Sequence, residues 1–104
     1  MIVEVRTYTM KAGTRDKAVA AFPAVLKECK RIGMKVAGPW LSDENPNMLV
    51  WMRGFPDAKA RQTMSGHFYN GSAWQNELSG VFMPILEKYE VVPVEMAESA
   101  ISWV

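Results

Sequence analysis

Alternating side chains at the start of the chain predict a β-strand over residues 2–10, with an unusual set of polar positions. Glu4, Arg6 and Tyr8 fall at every second position, so they share one face of that strand. An unpaired buried charge is too costly to persist, so this face must meet neighbouring strands, a polar pocket or a partner subunit. The pattern therefore indicates either a site or an interface.

Apolar residues at helical spacing predict a long helix after this strand. Gly13 and Thr14 supply a turn and an N-cap, and Gly33 supplies the C-terminal stop. The apolar positions recur every three or four residues: Ala18, Phe22, Val25, Leu26, Cys29 and Ile32. Pro23 lies inside this helix, and we expect it to bend the helix around a core, with a cavity-lining bend as the alternative.

Two strands, over residues 34–41 and 47–55, are predicted to form a hairpin through the turn-forming residues between them. Both faces of the second strand are largely apolar, since Leu49 and Trp51 alternate with Met48 and Val50. A sheet with one face in water would not have this pattern. If the helices cover one face, another subunit must cover the other, which favours a homodimer.

The second half of the chain predicts two further helices. Asp57 is expected to cap a short helix that ends near residue 65, where Gly66 interrupts the pattern. Ser72 and Gln75 fit a capping box for the next helix, which Pro84 is expected to bend.

A last strand is predicted over residues 89–96, and Pro93 restricts it to a sheet edge or a bulge. The apolar tail, residues 100–104, is expected to pack on the body or to cross to a partner. The order strand, helix, strand, strand, helix, strand is that of ferredoxin-like βαββαβ folds, an α+β class with an antiparallel sheet.

Length and composition restrict the function further. The 104 residues suit a single domain, 1–104, and the net charge is +1 with scattered basic residues, so no nucleic-acid partner is expected. No apolar run approaches the roughly 20 residues that cross a bilayer, and Met1 leads directly into a strand without a signal sequence. We therefore expect a cytoplasmic protein without a membrane partner. The single cysteine, Cys29, suits a reducing compartment and is expected to be a buried thiol.

Several short motifs, in this order and spacing, resemble the NIPSNAP family. They are Glu4-Val5-Arg6-Thr7-Tyr8 with Gly13, then Gly38-Pro39-Trp40, Asn47, Arg61 and Trp74. The resemblance implies a dimeric α+β barrel, in which two ferredoxin-like sheets close face to face, as in the related EthD-like and antibiotic-biosynthesis monooxygenase-like groups. The chain departs from the family at Trp51 and Arg53, where members often have His and Trp, and at Phe55-Pro56, where they often have an Asp or a Tyr-Asp pair.

The candidate catalytic residues are His67, Tyr8 and Arg6. His67 is the sole histidine, and an imidazole titrates near neutral pH, so it is the default general base or axial metal ligand. It follows Ala60 and Met64 on the predicted inner stripe of its helix, so a satisfied core or loop histidine is the alternative.

The candidate substrate-binding residues combine charged groups with tryptophans: Glu4, Trp40, Trp51, Arg53 and Trp74. Arginines suit a carboxylate or a developing oxyanion, Tyr8 would donate a hydrogen bond, and the indole rings would stack a planar substrate. The alternatives are an ion network that fixes sheet register or a dimer seam, and tryptophans that only fill a small core.

No cofactor is expected. A second histidine or thiolate at ligand spacing is missing, as are a glycine-rich phosphate loop and a nucleophile elbow. The barrel superfamily also includes haem-binding members, in which His67 would be the nitrogen ligand here, and that is a minor alternative.

Two classes of function follow. The first is a small enzyme that binds a hydrophobic, aromatic or polyketide-like compound between helices and sheet and performs cofactor-independent monooxygenation or isomerisation. The second is a non-catalytic dimeric binding module, whose polar strand face and C-terminal tail form the seam.

Overall fold

The computed structural model describes residues 1–97 and 101–104. The elements in chain order are β1 (Ile2–Met10), α1 (Arg15–Ile32), β2 (Lys35–Leu41), β3 (Met48–Phe55), α2 (Ala58–Asn70), a π-helical segment (Trp74–Leu78), α3 (Ser79–Ile85) and β4 (Leu86–Glu95).

The four strands form one antiparallel sheet in the order β2-β3-β1-β4, with the helices on one face. This is the predicted ferredoxin-like α+β arrangement. The strand with the polar pattern, β1, lies in the centre of the sheet between β3 and β4. Strand β4, which contains Pro93, is an edge strand as predicted. A proline is tolerated there because its nitrogen has no hydrogen to donate to a neighbouring strand.

Helix α1 ends as predicted at Gly33, whose φ of 109° is in the left-handed region. Thr14 is the N-cap residue, as predicted, but its hydroxyl donates to the Lys11 carbonyl oxygen and makes no capping hydrogen bond to the helix. Pro23 is exposed, so it does not line a cavity. At 18 residues α1 is the longest helix in the described part of the chain, and no helix there is long and apolar enough to cross a membrane.

Two predicted boundaries and one predicted cap in the second half were wrong. Helix α2 starts as predicted, with the Asp57 carboxylate accepting from the Ala60 N–H, but it continues through Gly66 to Asn70 because buried Phe68 extends its packed face. The Ser72 capping box does not form, since the Gln75 side chain donates to the Tyr69 carbonyl oxygen instead. Strand β4 begins at Leu86, three residues earlier than expected.

The core lies between the helices and one face of the sheet, and aromatic rings form its centre. Phe22 of α1 makes edge-to-face contacts with Trp51 of β3 and Phe82 of α3, at centroid distances of 5.3 and 5.7 Å. Cys29 is fully buried in the same core, as expected. Trp51 also lies edge-on to Tyr8 at a centroid distance of 6.0 Å, so the aromatic core contacts the polar face of β1.

The other face of the sheet has no helix over it. Val92 and Val94 of β4 are 46% and 41% exposed there, and Val5, Val50 and Met52 lie beside them on the register of the central strands. We call these five residues the open face. Glu4, Arg6 and Tyr8 point to the opposite, helix-covered face, so the polar strand face does not belong to a seam across the open face.

The C-terminal residues 101–104 pack on the chain's own sheet. The Val104 N–H donates to the Val36 carbonyl oxygen, extending the β2 edge, and the Trp103 ring lies over Gly54. A methyl group added at Gly54 would lie 3.1 Å from that ring. Ala100, the first residue of the predicted tail, lies outside the described residues.

Removing the central ring of the core should destabilise the fold strongly. Phe22→Ala is expected to lower the free energy of unfolding by about 3–5 kcal/mol, since it leaves a cavity against Trp51 and Phe82. Val81→Ala, at an exposed position of α3, should change it by less than about 0.5 kcal/mol. Urea denaturation measures both, and equal losses for the two variants would contradict this description of the core.

Candidate functional site

A cleft of about 880 Å³ opens between the helix-covered face of the sheet and the helices of the second half. One side is polar and includes Glu4, Arg6, Tyr8, Arg53 and Arg61. The rest of the lining is mainly apolar, with Trp74, Met83, Leu86, Tyr89 and Val91 together with the charged residues Glu87 and Lys88. The volume is typical of small-molecule sites, in which apolar walls surround a few polar groups.

A buried carboxylate organises the polar side. Glu4 Oε1 accepts from Arg6 Nη1 at 2.8 Å and from Arg53 Nε at 2.9 Å, and it forms an ion pair with Arg53 Nη2 at 2.8 Å. Glu4 Oε2 accepts from Arg61 Nε at 2.8 Å. Glu4 and Arg53 lie opposite each other in the β1–β3 register, and Arg61 reaches the same carboxylate from α2. One acid therefore joins two strands and a helix.

The arginines keep Glu4 ionised. Burial alone would raise its pKa, but Arg53, Arg61 and Arg6 together hold the pKa below the usual value of a glutamate. The carboxylate is thus a poor general base, since its oxygens already accept hydrogen bonds from three guanidinium groups. Its role in the geometry is to position the arginines.

Arg6 holds two phenol groups at the cleft. Its Nε donates to the Tyr8 hydroxyl oxygen at 3.0 Å, and its Nη2 donates to the Tyr69 hydroxyl oxygen at 3.1 Å. Burial raises the pKa of Tyr8, although Arg6 opposes that shift, so the phenol stays protonated at neutral pH. Both hydroxyl oxygens therefore accept from one guanidinium group.

Arg53 is 1% exposed and lies among aromatic rings. Its guanidinium carbon is 5.5–6.0 Å from the ring centroids of Trp51, Phe55, Phe68 and Tyr69. Its Nη1 has no hydrogen-bond partner among the described residues, so these ring contacts stabilise that side of the group. Burial raises the pKa of the nearby Cys29 thiol to about 11, although Arg53 lowers it, so this thiol is not a reactive thiolate.

Two cleft residues, Arg61 and Tyr69, were not among the predicted site residues. They lie on the face of α2 that also carries Ala58 and Ser65, at spacings of three or four residues. That spacing was the available signal, but it is weak because the face mixes small, charged and aromatic residues. Arg61 had appeared only as a residue of the family motif.

The structure brings some predicted site residues together and separates others. Glu4, Arg6, Tyr8, Arg53 and Trp74 all line the cleft.

The Trp51 ring is in edge-to-face contact with Tyr8. It lines a small cavity of about 40 Å³, and Tyr8, Tyr69 and Trp74 line both this cavity and the cleft. Its Nε1 is buried with no partner among residues 1–97 and 101–104. Trp40 is 48% exposed on β2 and does not line the cleft.

His67 is away from the cleft. Its side chain is exposed and lines a separate groove with Arg31, Gln62 and Asn70, between α1 and α2. The prediction that it follows the inner stripe of its helix was wrong, because the buried position is Phe68, one residue and about 100° further round the helix. Among the residues described, no group of three or more His, Cys, Asp or Glu side chains is arranged to hold a metal ion.

Replacing the central acid should remove a pH-dependent part of the stability. The folded pKa of Glu4 is lowered, so its stabilisation is complete above the unfolded value near 4.5 and is lost as the pH falls through the folded value. Glu4→Gln is expected to be about 3–5 kcal/mol less stable at pH 7, because three arginines lose their charged partner. It should also lose less stability than the wild type between pH 5 and pH 2.

Glu44→Gln is the control, since Glu44 is exposed in the loop between β2 and β3. Its stability should follow that of the wild type at each pH. Urea denaturation at several pH values provides the comparison, and an acid dependence that is the same in Glu4→Gln as in the wild type would contradict the assignment.

Comparison with known proteins adds to this description. The NIPSNAP family profile matches residues 3–91. An uncharacterised NIPSNAP domain protein from Burkholderia xenovorans superimposes with a TM-score of 0.80 at 23% identity, over 98% of this chain and 100% of that one. A NIPSNAP family protein from Agrobacterium tumefaciens does so with a TM-score of 0.80 at 19% identity, over 94% and 88%.

A putative antibiotic biosynthesis monooxygenase from Nitrosomonas europaea superimposes with a TM-score of 0.75 at 10% identity, over 94% of this chain and 100% of that one. At these identities the structural similarities establish the fold alone. A search among curated proteins finds no significant match. The family profile, however, covers most of the chain, including β1 with its polar face and the helices that complete the cleft. The chain belongs to the NIPSNAP family.

Proposed function

We propose that this protein is a homodimer that binds a small, mainly aromatic molecule with an anionic oxygen in the cleft. The observation that carries this proposal is an excess of positive charge on the polar side of an otherwise apolar cleft. Arg6, Arg53 and Arg61 converge on a single carboxylate, that of Glu4, which leaves two positive charges uncompensated within this cluster.

This charge favours an anionic ligand because two of the three arginines are nearly inaccessible to water. Arg6 and Arg53 are 6% and 1% exposed, so water screens their charges poorly. Arg61 is partly exposed at the cleft, and only its Nε is engaged with Glu4. Its two terminal nitrogens make no hydrogen bond within the described residues, so they are available to a ligand.

The apolar side of the cleft favours an aromatic body for that ligand. Trp74 stacks on Phe82 at 6.5 Å and lies edge-on to Tyr69 at 5.4 Å, which fixes a flat wall close to the phenol groups. Met83 and Tyr89, each 64% exposed, extend the apolar surface towards the cleft mouth. A planar ring bound against Trp74 would bring its polar substituent to the arginine side.

Two reactions suit a bound oxyanion here, cofactor-independent monooxygenation and isomerisation. In the first, an activated CH₂ group of the substrate and O₂ give a ketone and water, so the substrate supplies the electrons and one oxygen atom leaves in water. The 40 Å³ cavity beside Tyr8 and Tyr69 is large enough for a molecule of the size of dioxygen. This cavity favours oxygenation, whereas isomerisation would need a base such as Glu87, at the cleft lining.

His67 has no role in this proposal. Its groove is separate from the cleft, so an imidazole would not reach a molecule held by Arg6 and Tyr8. The haem-binding alternative is less favoured for the same reason, because it needs this imidazole as an axial ligand.

The open face supports the homodimer. Val5, Val50, Met52, Val92 and Val94 form a mainly apolar surface across three adjacent strands, and two such surfaces can pack face to face about 10 Å apart. The net charge of +1 causes little repulsion between copies. Association through this surface leaves the helix-covered cleft accessible, so the same dimer suits both the enzyme and the non-catalytic binding module.

The cleft should bind an aromatic anion through Arg61. The probe 8-anilino-1-naphthalenesulfonate is expected to bind the wild type with a rise in fluorescence, and Arg61→Ala should weaken that binding about tenfold, since it removes a charged donor. Arg31→Ala is the matched control, because Arg31 also pairs with a glutamate but lines the other groove. Equal affinity of the wild type and Arg61→Ala would contradict the proposed ligand class.

A charge on the open face should dissociate the dimer. Val92→Lys is expected to raise the dimer dissociation constant about tenfold or more, because the ammonium group would be buried between two apolar sheets. Val81→Lys, at a 38% exposed position of α3, should leave it unchanged. Sedimentation equilibrium measures the constant, and a Val92→Lys protein as dimeric as the wild type would contradict this interface.

A further inference from the structure

We infer that Tyr8 and Tyr69 form a pair of hydrogen-bond donors, held on Arg6, that binds the oxygen of a phenolate or enolate. This inference rests on the proposed ligand cleft and specifies the substrate class that the cleft takes. It depends on how the protons of the two hydroxyl groups are used.

Each phenol group has one proton to donate and lone pairs to accept with. The lone pairs of Tyr8 and Tyr69 accept from Arg6 Nε and Nη2. Neither hydroxyl has an acceptor for its own proton among the described residues. Both side chains line the cleft, so their free O–H groups are available to a molecule bound there.

Arg6 brings the two hydroxyls side by side. Nε and Nη2 lie on the same edge of a guanidinium group, the edge that usually holds the two oxygens of a carboxylate. The third nitrogen, Nη1, is held by Glu4 at 2.8 Å, so the guanidinium orientation is fixed. Arg6 is therefore a positioning residue, and the positive charge behind each phenol oxygen makes its O–H a stronger donor.

The contacts of the two buried arginines, Arg6 and Arg53, favour a single ligand oxygen over a carboxylate. The Nε and Nη2 atoms of Arg6 are engaged with the two tyrosines, and the Nε and Nη2 atoms of Arg53 are both directed at Glu4 Oε1. On these two buried arginines, the Nε–Nη2 edge that would bind a ligand carboxylate is therefore already occupied. Two adjacent O–H donors suit one oxygen with several lone pairs, such as a phenolate or an enolate, with the terminal nitrogens of Arg61 nearby for its charge.

Tyr8 meets the conditions for such a donor. It is 9% exposed, and its ring is fixed by edge-to-face contacts with Trp51 at 6.0 Å and Tyr89 at 6.4 Å. Burial raises its pKa, so the group donates its hydrogen bond without losing its proton. Tyr69 is fixed in a similar way by Phe68 at 5.0 Å and Trp74 at 5.4 Å.

The test uses three small probes of similar shape: 4-nitrophenol, nitrobenzene and 4-nitrobenzoate. Absorbance distinguishes 4-nitrophenolate from 4-nitrophenol, so titrations with protein at several pH values give both the affinity and the pKa of the bound probe. The wild type is expected to bind the phenolate about tenfold more tightly than nitrobenzene or 4-nitrobenzoate, and to lower the pKa of the bound phenol.

Tyr8→Phe and Tyr69→Phe should each weaken phenolate binding about tenfold and reduce the shift in the probe's pKa, with little change for nitrobenzene. Thr63→Val is the control, because it removes a hydroxyl group from an exposed position of α2 that lines the other groove and not the cleft. It should bind all three probes as the wild type does. Both tyrosine variants keep their rings, so the aromatic packing is retained.

Several results would overturn the inference. Phenolate affinity unchanged in both Phe variants would exclude the paired donors, and so would an equal loss for nitrobenzene, which has no phenolate oxygen for the pair to hold. Tighter binding of 4-nitrobenzoate than of 4-nitrophenolate would overturn the substrate class. Equal binding of nitrobenzene and 4-nitrophenolate by the wild type would support an apolar binding cleft but contradict the donor pair. Binding of none of the probes would contradict the proposed binding cleft as well.

Discussion

The hydrogen bonds of one buried carboxylate, Glu4, are the constraint on which the site depends. Glu4 lies in the central strand, and the arginines that it accepts from are in its own strand, in the neighbouring strand and in helix α2. An unpaired carboxylate at this depth would be strongly destabilising, so the three elements must keep their relative positions for the fold to be stable. The same requirement fixes the shape of the cleft between them.

This network of ion pairs also carries more positive than negative charge. Three guanidinium groups share one carboxylate, and Arg53 Nη1 has neither carboxylate nor carbonyl in reach within the described chain. A core evolved only for stability would more simply use apolar residues, because buried ion pairs are seldom better than well-packed hydrophobic side chains. The excess charge, the two phenol groups on Arg6 and the adjacent apolar wall are the features from which we propose that the cleft binds a ligand oxygen.

The fold and the site residues on the strands could largely be predicted from the sequence, because side chains alternate strictly between the two faces of a strand. Side chains two apart share a face, so Glu4, Arg6 and Tyr8 could be placed together, and Arg53 could be assigned to the face of a strand that also carries Trp51. The same alternation revealed apolar residues on both faces of β3. The element order then indicated the ferredoxin-like fold, which the structure confirms.

Helix α2 was harder to predict, and it contributes the residues that complete the site. Its polar and apolar residues are mixed, so a rotation by one residue placed His67 on the inner stripe where Phe68 in fact lies. The same uncertainty hid Arg61 and Tyr69, whose importance depends on what the helix faces. The sequence also gives no sign that the Gln75 side chain would donate to the Tyr69 carbonyl oxygen. The tertiary structure favours this hydrogen bond over the competing one in a capping box with Ser72.

The most direct test of the central claim is a crystal structure of the protein with 4-nitrophenol at a pH at which the free probe is ionised. We expect the phenolate oxygen to lie within hydrogen-bond distance of both the Tyr8 and Tyr69 hydroxyl oxygens, with its ring against Trp74 and the contacts between Glu4 and the arginines intact. A probe bound in the groove beside His67, or a probe in the cleft with its oxygen directed away from both tyrosines, would contradict the account.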